Sequence, residues 1–152
     1  MPDVDLMPTP SLSMFMDLHV FDSIWNNRLG EFVRDHWDLR VTDVLALIIA
    51  DSDPLTSQVQ IGHKLFLHKN VMVAIVKRLR KRNLVVVKPH PLDRRKQIIV
   101  LTAKGRHICR DVRIHHAEIT RMALPLGPAE RRRLVNLTTS VIKQWRKNGA
   151  NN

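Results

Sequence analysis

Residues 93–106 read DRRKQIIVLTAKGR, and the character of the chain changes twice within them. The charged segment Asp93–Lys96 leads into the apolar run Ile98–Leu101, which is typical of a β-strand. Thr102 follows, and threonine is a good N-cap residue for the long helical stretch that begins after it. The order therefore predicts a charged turn, a strand and a capped helix.

The residues just before this stretch predict the other half of a β-hairpin. Leu84–Lys88 is rich in β-branched residues, and Pro89–Asp93 has the composition of a turn. The resulting hairpin would carry Arg94 and Arg95, and an arginine at a hairpin tip can enter the negative minor groove of DNA. Asp93, two residues before Arg95, can brace one guanidinium and leave the other free.

Helical periodicity surrounds the hairpin on both sides. Apolar residues at three- and four-residue spacing predict six helices, at about residues 11–37, 41–50 (after a Thr42 cap), 56 or 57 to 65, 69–82, 103–122 and 128–147. Residues 1–10 contain three prolines and are predicted to be a flexible arm. The fold class is thus mainly α with a small β-hairpin wing.

The basic residues are concentrated in one part of the chain. The 152 residues carry a net charge of +11, and the segment Lys69–Arg106 contains twelve basic residues but only Asp93 as an acid. This segment therefore accounts for the whole excess, and such a block attracts polyanions with a strong dependence on salt. A merely solubilising surface is the alternative, but solubility does not require this concentration.

Composition excludes several classes of protein. No apolar run, Leu84–Val87 among them, is long enough to cross a bilayer, so no membrane partner is expected. The single cysteine, Cys109, cannot form an internal disulfide and is expected to be a small packing residue. Asp3 and Asp5 give the N-terminus the wrong charge for a secretory signal, which favours a cytoplasmic protein. No catalytic constellation or glycine-rich phosphate loop is present, so we expect neither an enzyme nor a cofactor.

The stretch 93–106 resembles the wing-to-helix signature of the MarR family of bacterial winged helix-turn-helix regulators. That signature is Asp-x-Arg in the wing, an apolar strand, and then Leu-Thr-x-x-Gly-Arg. Val76–Leu79 resembles the end of the family's recognition helix, and Leu126–Arg131 is similar to the start of its last helix. The resemblance implies a MarR-type domain over residues 11–148. Its winged helix-turn-helix would span about 41–102, between dimerisation helices at about 11–37 and 103–147.

The resemblance also implies a function. Members of this family are homodimers that bind a near-palindromic operator in double-stranded DNA and often repress transcription until a ligand binds. A nucleoid-associated location follows from this. By analogy with the family, Arg94 contacts DNA, while Asp93 and Arg95 maintain the shape of the wing.

The helix predicted over residues 69–82 would enter the major groove. Val71, Val73 and Ala74 should be partly exposed there, and apolar side chains can contact thymine methyl groups. Asn70 and Lys77 are expected at base edges, and Arg78 and Lys81 at phosphates. The predicted DNA contacts are Lys69, Asn70, Val73, Ala74, Lys77, Arg78, Lys81, Arg94 and Arg95.

In the MarR family a ligand often lies between the dimerisation helices and the winged domain. The residues predicted to line such a site for a small aromatic or anionic effector are His19, Trp25, Arg28, Trp37, Arg106 and Arg110. The alternative is that the tryptophans only pack in the core or interface. His107, Asp111 and His115 share one helix face at a spacing that can hold a metal, but a charged helix produces such spacings by accident. We therefore expect no metal.

Two other functions remain open at this stage. A basic nucleoid or RNA-binding protein without sequence preference would bind every duplex with a steep salt dependence. A protein-interaction module would use exposed Val71, Val73 and Ala74 to dock a partner, and would bind DNA weakly even at low salt.

Overall fold

The computed structural model describes residues 10–149, which form six helices and one antiparallel hairpin. The elements are α1 (Pro10–Trp37), α2 (Val41–Ser52), α3 (Gln58–Lys64), α4 (Lys69–Lys81), β1 (Val85–His90), β2 (Asp93–Leu101), α5 (Ala103–Ala123) and α6 (Pro128–Gly149). This order confirms the predicted fold class. Residues 1–9, most of the predicted arm, lie outside the described part of the chain.

The starts of α2 and α3 show how side chains set the helix boundaries. The prediction of a Thr42 cap is wrong, because α2 begins at Val41 and the backbone N–H of Arg40 donates to Asp43 Oδ2 at 3.2 Å. For α3 the predicted start is confirmed. Ser57 Oγ accepts from the backbone N–H of Gln60, whose side chain accepts in return from the Ser57 N–H.

One hydrophobic core connects the central helices with the hairpin and α5. Its most deeply buried apolar side chains are Leu47, Ile61, Ile75, Leu79, Leu84, Ile99 and Cys109. Helix α4 contributes Met72, Ile75, Val76 and Leu79, which recur every three or four residues and so occupy one face. Burial of this face fixes the rotation of α4, and its opposite face is directed away from the core.

The hairpin formed by β1 and β2 is anchored at its base. Val85 pairs with Leu101 and Val87 with Ile99, and an isolated bridge joins Ser57 to Ile98. The turn is shorter than the predicted Pro89–Asp93, because His90 pairs with Asp93 and leaves only Pro91 and Leu92 between the strands. Arg94 and Arg95 therefore lie within β2, next to the tip rather than in the turn.

The segment Leu101–Arg106 joins the wing tightly to α5. Thr102 Oγ1 accepts from the Gly105 N–H at 3.1 Å, and its hydroxyl donates to the Asn83 carbonyl at 2.7 Å. Arg106 Nη1 donates to the Leu101 carbonyl at 2.8 Å. A Cβ placed on Gly105 would clash with the carbonyl oxygen of Leu84. Only glycine therefore permits this approach of α5 to the start of the wing.

We expect the substitution Gly105→Ala to lower the free energy of unfolding by about 2 kcal/mol, because backbone atoms that cannot rotate away must shift. Chemical denaturation followed by circular dichroism measures the change. Gly30→Ala is the matched control, because the nearest atom to a Cβ in this α1 position is the flexible Arg34 Nη1 at 3.5 Å. The control should be neutral or more stable by about 0.5–1 kcal/mol. Equal losses in both variants would contradict the packing described.

The outer helices keep large apolar surfaces exposed. Phe32 and Val33 near the end of α1 are buried, but most apolar residues between Met14 and Ile24 and in α6 are exposed. The exposed apolar side chains of these two helices are Met14, Phe15, Met16, Leu18, Val20, Phe21, Ile24, Val135, Leu137, Val141, Ile142 and Trp145. None of the described helices combines the length and the apolar character that a bilayer crossing requires.

Candidate nucleic-acid interface

The outer face of α4 carries most of the residues predicted to contact DNA. Lys69, Asn70, Val73, Ala74, Lys77 and Lys81 are all exposed. Four of them, Asn70, Ala74, Lys77 and Lys81, are spaced by four, three and four residues, so they form one line opposite the buried stripe. The structure thus presents this line to the solvent on a helix that the core holds in place.

The wing supplies a second group of cations next to its turn. Arg94, Arg95 and Lys96 are exposed along β2. Asp93 supports this segment differently from the prediction, because its Oδ1 accepts from the backbone N–H of Arg95 at 3.1 Å and its Oδ2 lies 3.5 Å from Lys96 Nζ. The carboxylate therefore shapes the backbone, and the Arg95 guanidinium is not the group it holds.

A basic groove lies between α4 and the wing. Its walls include Val73, Lys77, Arg80 and Lys81 from α4, and Gln97 from β2. Gln97 Oε1 also accepts from Gln58 Nε2 at 3.0 Å, which ties the wing to the start of α3. Arg80 was not among the predicted contacts, although its place in the basic run was a signal for it. The helix and the wing thus meet at this groove, and the surface that they form carries exposed cations from both elements.

The cations of this surface are available for an outside partner. Five ion pairs occur between residues 10 and 149, and none of them involves Lys77, Lys81, Arg94 or Arg95. These side chains are therefore solvated rather than neutralised by carboxylates of the described chain. A polyanion that binds here displaces only counterions, which is the favourable case for association with a nucleic acid.

Arg78, which we predicted to touch a phosphate, is engaged inside the protein. Its Nη2 lies 2.6 Å from Asp43 Oδ1, and its Nε donates to Asp43 Oδ2 at 3.2 Å. Asp43 is only 2% exposed, whereas the Arg78 side chain is 31% exposed. The bidentate pair ties α4 to the first turn of α2. Sequence reasoning missed it, because the partners are 35 residues apart.

The six residues predicted to line an effector site do not share one cavity within a protomer. His19 and Trp37 stand eighteen residues apart on the single helix α1, which separates them by roughly 27 Å. Trp37 Nε1 donates to Asp111 Oδ2 at 2.9 Å, and the Arg106 guanidinium binds the Leu101 carbonyl. Trp25 lines an apolar pocket between α1 and the α5–α6 connection. Arg28 and Arg110 are exposed.

The weak metal candidates on α5 have other partners. The Asp111 carboxylate accepts from Trp37, and the His115 ring binds the Asp111 carbonyl through Nδ1 at 3.0 Å. Across residues 10–149, His107 and its neighbours form no cluster of three ligating side chains. Burial raises the pKa of the Cys109 thiol to about 11, and the nearby Asp51 carboxylate acts in the same direction. The thiol therefore stays protonated at neutral pH and packs in the core.

The central part of the chain is similar to a known protein family. The model of the MarR family matches residues 39–96, which span the helix-turn-helix and most of the wing. A comparison with curated protein sequences finds no match.

Solved structures match nearly the whole chain. AbsC, a MarR family transcriptional regulator from Streptomyces coelicolor, has 19% identity and a TM-score of 0.78, covering 91% of this chain and 97% of AbsC. A MarR mutant from E. coli, complexed with operator DNA, has 18% identity and a TM-score of 0.76, covering 86% and 94%.

The PcaV regulator from Streptomyces coelicolor was solved with its natural ligand. It has 22% identity and a TM-score of 0.69, covering 94% of this chain and 98% of PcaV. At these identities the structural matches establish the fold, and the family match covers the surface built from α4 and the wing. Residues 39–96 are thus similar to the model of the MarR family, and the six helices and the hairpin have the same fold as solved regulators of that family.

Proposed function

We propose that this protein is a sequence-specific DNA-binding transcription regulator that acts as a ligand-responsive homodimeric repressor. The observation that carries the proposal is the surface formed by α4 and the wing, where Lys77, Lys81, Arg94 and Arg95 are exposed and free of ion pairs with residues 10–149. The helix would enter a major groove and the wing the adjacent minor groove. The operator-bound MarR structure from E. coli, which has the same fold, supports this arrangement.

The proposed DNA contacts have distinct roles. Asn70 and Lys77 would face base edges, with Val73 and Ala74 beside them, while Lys69 and Lys81 would contact phosphates. Arg94 would enter the minor groove, and Asp93 would keep the strand that carries it in shape. Arg95 and Arg80 would add charge on either side of the groove between the helix and the wing. Arg78 is left out, because the buried Asp43 carboxylate already binds its guanidinium.

The exposed apolar faces of α1 and α6 support a homodimer. Phe15 is 71%, Leu137 64% and Trp145 70% exposed, and such large patches are rare on monomers. In a dimer with two-fold symmetry, these faces would cover one another and hold two copies of α4 about one DNA turn, roughly 34 Å, apart. The operator is accordingly expected to be near-palindromic.

We expect Leu137→Glu to shift the protein from dimer to monomer, because the substitution places a charge in the middle of the apolar face of α6. Light scattering coupled to size-exclusion chromatography measures the mass. Leu55→Glu is the matched control, since Leu55 is 49% exposed in the loop between α2 and α3, away from this face. The control should stay dimeric. A wild-type chain that elutes as a monomer at high concentration would refute the dimer.

Regulation would follow from a small effector that prefers one spacing of the two recognition helices. Trp25 lines an apolar pocket where α1 meets the α5–α6 connection, and this lining would suit the aromatic part of a small aromatic or anionic effector. PcaV, solved with a natural ligand, supports this part of the proposal. The ligand can act only through different affinities for the two spacings.

Regulators of the MarR family are non-enzymatic transcription factors, and we assign no reaction to this chain. A repressor must also reach the chromosome, so we place the protein in the cytoplasm, associated with the nucleoid.

Selection from a random duplex library by the full chain tests the function. The enriched duplex and a shuffled duplex of the same composition are compared by fluorescence anisotropy over a series of salt concentrations. We expect at least about a thousandfold preference for the enriched duplex at physiological salt. A preference below about tenfold with a steep salt dependence would indicate a non-specific nucleic-acid-binding protein. Weak binding of every duplex at low salt would indicate a protein-interaction module instead.

A further inference from the structure

The outer face of α4 combines cations with an unusual amount of apolar surface. Val73 is 53% exposed and lines the basic groove beside Lys77 and Arg80. Ala74 is exposed on the central line of the face, between Asn70 and Lys77. A β-branched residue is not a preferred choice for an exposed helix position, so neither helix propensity nor burial accounts for Val73.

Arginine, the residue that most often reads guanine, is missing from the same line. Asn70, Ala74, Lys77 and Lys81 include no arginine, and Arg78 on the flank is bound to Asp43. Bidentate recognition of guanine by arginine is therefore not provided along this line. The apolar strip instead matches the one apolar group of the major groove, which is the C5-methyl group of thymine.

We propose that Val73 and Ala74 determine specificity by contacting thymine methyl groups in each half-site of the operator. The inference rests on the proposed function, since it assumes that α4 enters the major groove. Charge complementarity supports duplex DNA as the occupant, because Lys77, Arg80 and Lys81 surround Val73 on the wing side. An apolar side chain can recognise thymine through its methyl group, without a hydrogen bond.

Replacement of thymine by uracil tests the contact, because it removes the methyl group and leaves the pairing edge unchanged. The probe is the duplex recovered by the selection described above, with each thymine replaced in turn. We expect one or two positions per half-site at which uracil weakens binding by about fourfold for each methyl group, the loss that corresponds to one buried carbon.

The variant Val73→Ala connects the effect to the side chain. It should bind the thymine duplex less tightly than the wild type by a similar factor, and its own response to uracil at the affected position should vanish. Val73 is exposed and alanine favours helices, so the variant should fold. Val86→Ala is the matched control. Val86 is an exposed valine of β1 that does not line the groove, and the variant should keep the full uracil effect.

The outcomes separate this inference from the function on which it rests. If a duplex is enriched but its affinity does not change when thymine is replaced by uracil, the methyl contact is refuted and the proposed regulatory function still stands. A uracil effect of equal size in wild type and Val73→Ala overturns the assignment to Val73. If no duplex is enriched at all, the proposed function fails, and this inference fails with it.

Discussion

Arg78→Ala should lower the free energy of unfolding by about 3 kcal/mol, the largest effect on stability that we expect from any single substitution. The change leaves the Asp43 carboxylate, 2% exposed, without its bidentate partner. Breaking a buried pair typically costs about 3–5 kcal/mol, and the partial exposure of Arg78 places this pair at the lower end. Urea denaturation at pH 7 measures the loss.

A second substitution shows whether the loss of stability comes from the unpaired Asp43 carboxylate or from lost packing of the Arg78 side chain. In the double variant Asp43→Asn, Arg78→Ala, the buried group is neutral and can still accept from the Arg40 N–H. We therefore expect the double variant to be more stable than Arg78→Ala alone. A single variant that loses less than about 1 kcal/mol, or a double variant no more stable than the single one, would contradict the role assigned to the pair.

Arg94→Ala and Lys77→Ala should each weaken binding of the enriched duplex at least about tenfold at fixed salt. A hydrogen bond to a charged group contributes about 1.5–3 kcal/mol, and a dimer would lose the contact in both half-sites. Fluorescence anisotropy at several salt concentrations measures the affinity. If a contact is to phosphate, the slope of log affinity against log salt should also fall by about one for each lost contact.

Arg34→Ala is the charge-matched control for these two variants. Arg34 is exposed on α1, outside the surface formed by α4 and the wing, so its loss lowers the net charge equally without removing a proposed contact. It should keep nearly the wild-type affinity. Equal weakening by Arg34→Ala would mean that only overall charge matters, and unchanged binding in both Arg94→Ala and Lys77→Ala would refute the docking.

Local patterns in the sequence predicted the fold where the cause is itself local. Thr102 caps α5 as predicted, because a cap needs only the first turn of the helix that it begins. The start of α3 was also predicted, and the structure shows Ser57 as its cap. The apolar stripe of α4 likewise predicted which side of that helix faces outward, since the period of a helix is fixed. The exposed line from Asn70 to Lys81 was predictable for the same reason.

The features that were missed or mispredicted depend on parts of the chain that are distant in sequence or on the folded hairpin. The Asp43–Arg78 pair joins two helices, and the sequence around either residue does not indicate its partner. Gly105 is required by the approach of the Leu84 carbonyl, which only the folded wing creates. The length of the hairpin turn was overestimated, because strand pairing continues through His90 despite Pro89. The effector residues stay a prediction: they were chosen by chemistry, and the length of α1 separates His19 from Trp37 within one protomer.

Hydroxyl-radical footprinting of the full chain on its enriched duplex tests the central claim most directly, together with the number of chains bound per duplex. The account predicts two bound chains and two protected regions related by two-fold symmetry, with their centres about one helical turn apart. Protection of a single region by one chain, or uniform protection without a symmetric centre, would contradict it.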